Sequence, residues 1–199
     1  DGYADVDGST TRVKSVGGFV GYCHQNFQMI NCVNMMTGSI TGMANVGGFI
    51  GRWEAAKLDE FHTDTYSHIP ESQRRGAKIV NCTQSMLGNI TTHMWTYDTN
   101  YESSVGGFIG QAYDYSRAGD HQESAGMIEN CILSMCGDIY SYRSSGGFIG
   151  TVKPYTYTHM VENRWCINAC KQMMHGNIGS VLNGWWSGTG GFVGTGNVT

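Results

Sequence analysis

The chain has 199 residues, 29 of them Gly and only 2 Pro, with 14% charged and 12% aromatic side chains; it is long enough for one sizeable core, and its glycines recur at set places in a repeated pattern, which marks repeated tight turns and not disorder. A formal net charge of −4 and a pI near 5.9 remove any electrostatic case for nucleic-acid binding. No apolar run approaches the roughly 20 residues of a membrane span.

From the N-terminus, the first signal is VDGST, which carries Val6, Gly8 and Thr10 ahead of VGGFVG at residues 16–21. The block MINCVNMMTGSI follows at 29–40, then VGGFIG at 46–51. An insert at 52–78 separates it from IVNCTQSMLGNI at 79–90, and a second at 91–104 leads to VGGFIG at 105–110. After an insert at 111–127 come IENCILSMCGDI at 128–139 and SGGFIG at 145–150. Inserts at 151–166 and 179–188 bracket INACKQMMHGNI at 167–178, and TGGFVG closes the series at 189–194.

The four longer blocks align without gaps. Cys32, Cys82, Cys131 and Cys170 share one column, Met36, Met86, Met135 and Met174 a second, and Ile40, Ile90, Ile139 and Ile178 a third. Val6, Gly8 and Thr10 fit the Met, Gly and Ile columns, so the chain reads as about five copies of one unit, the first lacking its opening segment. Apolar and small residues alternate over short stretches with no helical stripe, which is strand periodicity. Asn ahead of the Cys in three copies, and Gly on both flanks of Phe, suit sharp corners needing positive φ.

Three short strands per unit in a fixed register predict an all-β fold, a parallel β-solenoid of about five coils in a single domain over residues 1–199. Right-handed winding is expected, as for other parallel crossovers. The copies end near residues 21, 51, 110, 150 and 194. Equivalent residues become ladders, led by Phe19, Phe49, Phe108, Phe148 and Phe192 and flanked by the Ile, Met and Cys columns. Burying each Phe is worth about 1.5–3 kcal/mol, enough to explain why the motif recurs as a packing element. The paired glycines let backbones approach closely enough to accommodate the rings.

The pattern V-G-G-F-V/I-G after N-C-x-x-x-M-x-G-x-I resembles the GLUG-type repeat of large surface-exposed and adhesin-like proteins. The likeness covers all five copies, with Phe in place of that repeat's usual Leu, and the inserts lie outside it. It implies a β-solenoid with an extracellular adhesive or scaffolding role, and it carries no catalytic residues.

Chemistry is sought in the inserts, since loops grafted on a rigid face are where recognition concentrates. The segment EAAKLDEF at 54–61 has the composition of a short helix. Asp59, Glu60, Asp64, His62 and His68 cluster in that one insert, whereas paired-carboxylate catalysis needs groups facing each other across a groove. Trp95, Tyr97, Tyr101, Tyr113, Tyr115, Tyr155, Tyr157, Trp185 and Trp186 suit a protein interface, sugar stacking, or packing on the solenoid's flank. No metal-ligand spacing occurs, and the stretch Asp5-Val6-Asp7-Gly8 lacks the remaining calcium ligands. No catalytic, cofactor-binding or metal site is assigned, and no enzyme activity is expected.

Seven Cys is an odd count, so not all pair within the chain. The column cysteines read as small buried hydrophobes, and Cys136 with Cys166 is the candidate disulfide. The sequons at Asn81, Asn89 and Asn197, with the composition, lean toward a secreted glycoprotein. The chain opens on Asp1, which fits either a removed leader or a longer parent chain.

A solenoid exposes strand edges at its ends unless they are capped. The expected function is therefore an extracellular structural or adhesive subunit that stacks head to tail into a homopolymeric surface fibre, with glycans or another surface protein as further partners. Two alternatives stand beside it: a fragment capped by flanking parts of a longer chain, and a carbohydrate-binding or carbohydrate-cleaving β-helix that uses the aromatic and acidic inserts.

Overall fold

The computed structural model describes residues 15–24, 27–55, 77–92, 103–114, 126–154, 165–181 and 188–196. The first turn contributes β1 (Ser15–Gly17) and β2 (Val20–His24). The next holds β3 (Gln28–Ile30), β4 (Val33–Met36), β5 (Ile40–Gly42), β6 (Asn45–Gly47) and β7 (Ile50–Ala55). It is followed by β8 (Ala77–Val80), β9 (Thr83–Met86), β10 (Ile90–Thr92), β11 (Ser104–Gly106) and β12 (Ile109–Asp114). Then come β13 (Gly126–Glu129), β14 (Ile132–Met135), β15 (Ile139–Ser141), β16 (Ser144–Gly146) and β17 (Ile149–Pro154). The last turn is β18 (Trp165–Asn168), β19 (Lys171–Met174), β20 (Ile178–Ser180), β21 (Gly188–Gly190) and β22 (Val193–Thr195).

These strands stack into five parallel sheets, each taking one strand per turn. Sheet A is β1-β6-β11-β16-β21 and sheet B is β2-β7-β12-β17-β22. Sheets C (β3-β8-β13-β18), D (β4-β9-β14-β19) and E (β5-β10-β15-β20) complete the coil. The register is the one read from the sequence: Met36, Met86, Met135 and Met174 pair in succession, as do Ile40, Ile90, Ile139 and Ile178. The chain is a parallel β-solenoid. Among the described residues no helix is long and apolar enough to cross a membrane.

Each full turn has five strands where three were expected. In sheet B, Arg52, Trp53 and Glu54 pair with Gln111, Ala112 and Tyr113, residues of unrelated types. Ladder hydrogen bonds need only backbone, so such strands extend the repeat without leaving a motif. The inserts at 52–78, 111–127 and 151–166 are correspondingly shorter, since strands reach Ala55, Asp114 and Pro154 and resume at Ala77, Gly126 and Trp165. Those at 91–104 and 179–188 likewise give up residues to β10, β11, β20 and β21. Glu54 and Ala55 of the expected helix lie in β7; its other residues, and Val6, Gly8 and Thr10, fall outside the described ones.

The corner between sheets C and D has left-handed backbone at Asn31, Asn81, Asn130 and Ala169, with φ of 57°, 53°, 51° and 51°. Asn tolerates this conformation because its short polar side chain bonds locally. The glycines around Phe were expected to need it too, and they do not: Gly196 has the one positive glycine φ among the described residues. Their reason is space. A Cβ on Gly47 would lie 1.9 Å from the Ile50 carbonyl oxygen and 2.7 Å from the Gly110 nitrogen, and one on Gly106 would meet Ile109 and Gly150 equally closely. Sheets A and B fold against each other there with backbone on backbone.

Candidate assembly interface

The ladders carry the core. Phe49, Phe108 and Phe148 are fully buried, and ring centroids along the series from Phe19 to Phe192 lie 5.1, 4.7, 4.7 and 4.8 Å apart in near-parallel stacks. The Ile column is buried at Ile40, Ile90 and Ile139 and half-buried at Ile178. In the Cys column, Cys82 and Cys131 are buried and Cys32 and Cys170 half-buried. Each thiol donates to the carbonyl two residues before it, at 3.5, 3.3, 3.3 and 3.4 Å for Cys32, Cys82, Cys131 and Cys170, and so closes the left-handed corner. Hydrogen bonds with Cys170 and Cys82, then burial, push Cys131 above the ordinary thiol range, while the bond with Cys131 lowers Cys82 and Cys170.

Burial fails at the ends of these ladders. Phe19 is 50% exposed, against the expectation of a fully buried ladder, because among the described residues no rung lies beneath it. Tyr22 and Met43 of the same region are also exposed. At the other end Val181 is exposed and Phe192 is half-buried. Among the described strands, β1 to β5 form one end of the five sheets and β18 to β22 the other.

At the outward corner after the Met column, Ser39, Asn89, Asp138 and Asn177 form a side-chain ladder. The Asn89 N–H donates to Ser39 Oγ at 3.0 Å, the Asp138 N–H to Asn89 Oδ1 at 2.8 Å, and the Asn177 N–H to Asp138 Oδ1 at 2.7 Å. The sequon residue Asn89 is thus a rung of that ladder. Asn81 is exposed at its left-handed corner, and its Nδ2 donates to Asn31 Oδ1 at 3.2 Å. Asn197 lies outside the described residues.

The proposed pair Cys136 and Cys166 does not form a disulfide. Both are exposed free thiols. Cys166 sits in β18 beside Met127 on sheet C, and Cys136 follows β14 past the far end of sheet D, so a strand's length separates the two faces. Cys23 is free and buried.

The interior also holds polar groups that no motif announced. Between sheets A and B, Asn45 bonds Gln111 at 3.2 Å, Ser104 bonds Thr151 at 2.7 Å and Ser144 bonds Thr195 at 3.0 Å. Within sheet D, Asn34 Nδ2 donates to buried Gln84 Oε1 at 2.8 Å. Trp53 and Trp165, both fully buried, meet edge to face at 4.7 Å. On sheet B, Arg52 pairs with Glu54, lies 5.1 Å above the Tyr113 ring, and Glu54 accepts the Tyr22 hydroxyl at 2.5 Å. Burial, then that hydrogen bond, holds the Tyr22 phenol well above its ordinary range. Only the alternation of polar and apolar residues in NCVNMM and NCTQSM hinted at the amide column.

Of the insert residues considered for chemistry, Tyr113 is described; Asp59, Glu60, His62, Asp64, His68, Trp95, Tyr97, Tyr101, Tyr115, Tyr155, Tyr157, Trp185 and Trp186 lie outside, as do Asp5 and Asp7. Among the described residues, no group of three or more His, Cys, Asp or Glu is placed to hold a metal. A scan against protein-family models finds no match to the chain, and searches of the curated proteins and of the solved structures find none either.

Proposed function

We propose that this chain is a structural repeat protein, a subunit that stacks head to tail into a fibre and displays its inserts along the fibre's flank. The observation that carries the reading is that the described parts of sheets A and B, five strands each, end in a strand edge at both ends, with the Phe column between them continuing to both. The Phe column runs the whole described length of the coil, from Phe19 at one end to Phe192 at the other. An open edge is a template for another strand. A heterologous contact that does not close on itself produces a filament.

The resemblance to GLUG-type repeats and the sequons support an extracellular, adhesive setting for such a fibre. Its test is the size of the tag-free chain across a concentration series by sedimentation velocity. Growth into polymers supports the reading, and a strictly monomeric chain at high concentration overturns it.

A further inference from the structure

We infer that two copies join in one register, with the Gly17–Phe19 arc of the following copy laid directly on Gly190–Phe192, and that Gly191 determines this register. The inference rests on the stacking reading above. It starts from the second glycine of each GGF motif. A Cβ on Gly18 would lie 2.3 Å from the Gly48 carbonyl oxygen, one on Gly48 2.1 Å from that of Gly107, one on Gly107 2.3 Å from that of Gly147, and one on Gly147 2.0 Å from that of Gly191. Each of these glycines is required by the rung after it. Among the described residues Gly191 has no atom within 4 Å of its Cβ position, and it has no left-handed φ. Among the described residues nothing around it calls for glycine; the Gly18 carbonyl of a following copy would.

The backbone repeats the same step. The Phe49 carbonyl accepts the N–H groups of Phe19 and Val20, that of Phe108 accepts Phe49 and Ile50, that of Phe148 accepts Phe108 and Ile109, and that of Phe192 accepts Phe148 and Ile149, all at 2.9–3.1 Å. Continued once more, the Phe19 carbonyl of the next copy accepts Phe192 and Val193, and its half-exposed ring covers Phe192.

The test uses the 199-residue chain and its G191A variant. Since alanine fits the Gly191 backbone, the variant folds with a Tm equal to the native value or about 1–4 °C higher. Overpacking at the junction raises the concentration needed for polymerisation about tenfold or more. A second measurement covers the case in which G191A misfolds. A mixture of isotope-labelled T189C and unlabelled V16C chains is oxidised, because the register puts these Cα atoms one strand spacing apart, about 4.8 Å, inside the disulfide range. Mass spectrometry should find the 189–16 peptide linked between labelled and unlabelled chains. If the native chain polymerises, G191A polymerises equally well and no such link forms, the register is wrong while stacking stands. If the native chain does not polymerise, the stacking reading itself fails.

Discussion

Truncating the Phe ladder at its centre and at its end should have very different costs in the isolated chain. Phe108 is fully buried between Phe49 and Phe148, each ring 4.7 Å away. Phe108→Ala removes a core side chain and leaves a lined cavity, a change that costs about 3–5 kcal/mol in packed cores. Phe19 is 50% exposed and has one stacked neighbour at 5.1 Å. Its transfer contribution is about half of the 1.5–3 kcal/mol of a fully buried ring, and one aromatic pair adds about 0.5–1.5 kcal/mol. With no closed cavity created, Phe19→Ala should cost about 1–3 kcal/mol, leaving a gap of about 2 kcal/mol between the variants. Urea denaturation in dilute solution measures both, read as shifts in midpoint at unchanged slope. Equal costs, or a larger one at Phe19, would refute the claim that burial along the column governs stability. Under polymerising conditions the gap should narrow, because Phe192 of a neighbour then covers Phe19.

Ala169 holds φ at 51° where three other turns place Asn; Ala169→Asn should stabilise by about 1 kcal/mol, seen as a rise of about 2–4 °C in Tm. Gly106→Ala puts a Cβ 1.9 Å from the Ile109 carbonyl oxygen and 2.7 Å from the Gly150 nitrogen, with backbone on both sides, so the variant should lose the cooperative transition or fail to accumulate as folded protein. The folded state holds the Tyr22 proton more tightly than the unfolded chain, whose phenol titrates near 10.0. Its contribution is complete below that pH and declines as pH rises above it, so Tyr22→Phe should flatten the alkaline fall in stability measured by denaturant midpoint.

The fold was legible where function of position forces residue identity. A column that must be Phe, Met, Ile or Gly on every rung prints a motif, and the Asn of the C–D corner showed in advance where the backbone turns left-handed. Sheet B beyond Ile50 was not legible, because Arg52, Gln111 and Thr151 share a column through backbone pairing alone. Trp165 was assigned to an insert since nothing in sequence shows that its indole reaches Trp53. The glycines were placed correctly but for part of their reason: sequence marks a glycine without saying whether a dihedral or a neighbouring carbonyl demands it. The Cys136–Cys166 pairing failed because odd-residue bookkeeping ignores which face of the coil each thiol occupies.

The central claim is that the edges at the two ends are complementary, and electron microscopy of the tag-free chain at micromolar concentration tests it most directly. The account predicts unbranched fibres with strands running across the axis and an axial repeat of about 24 Å, five rungs at about 4.8 Å. Discrete particles with the mass of one chain would contradict it.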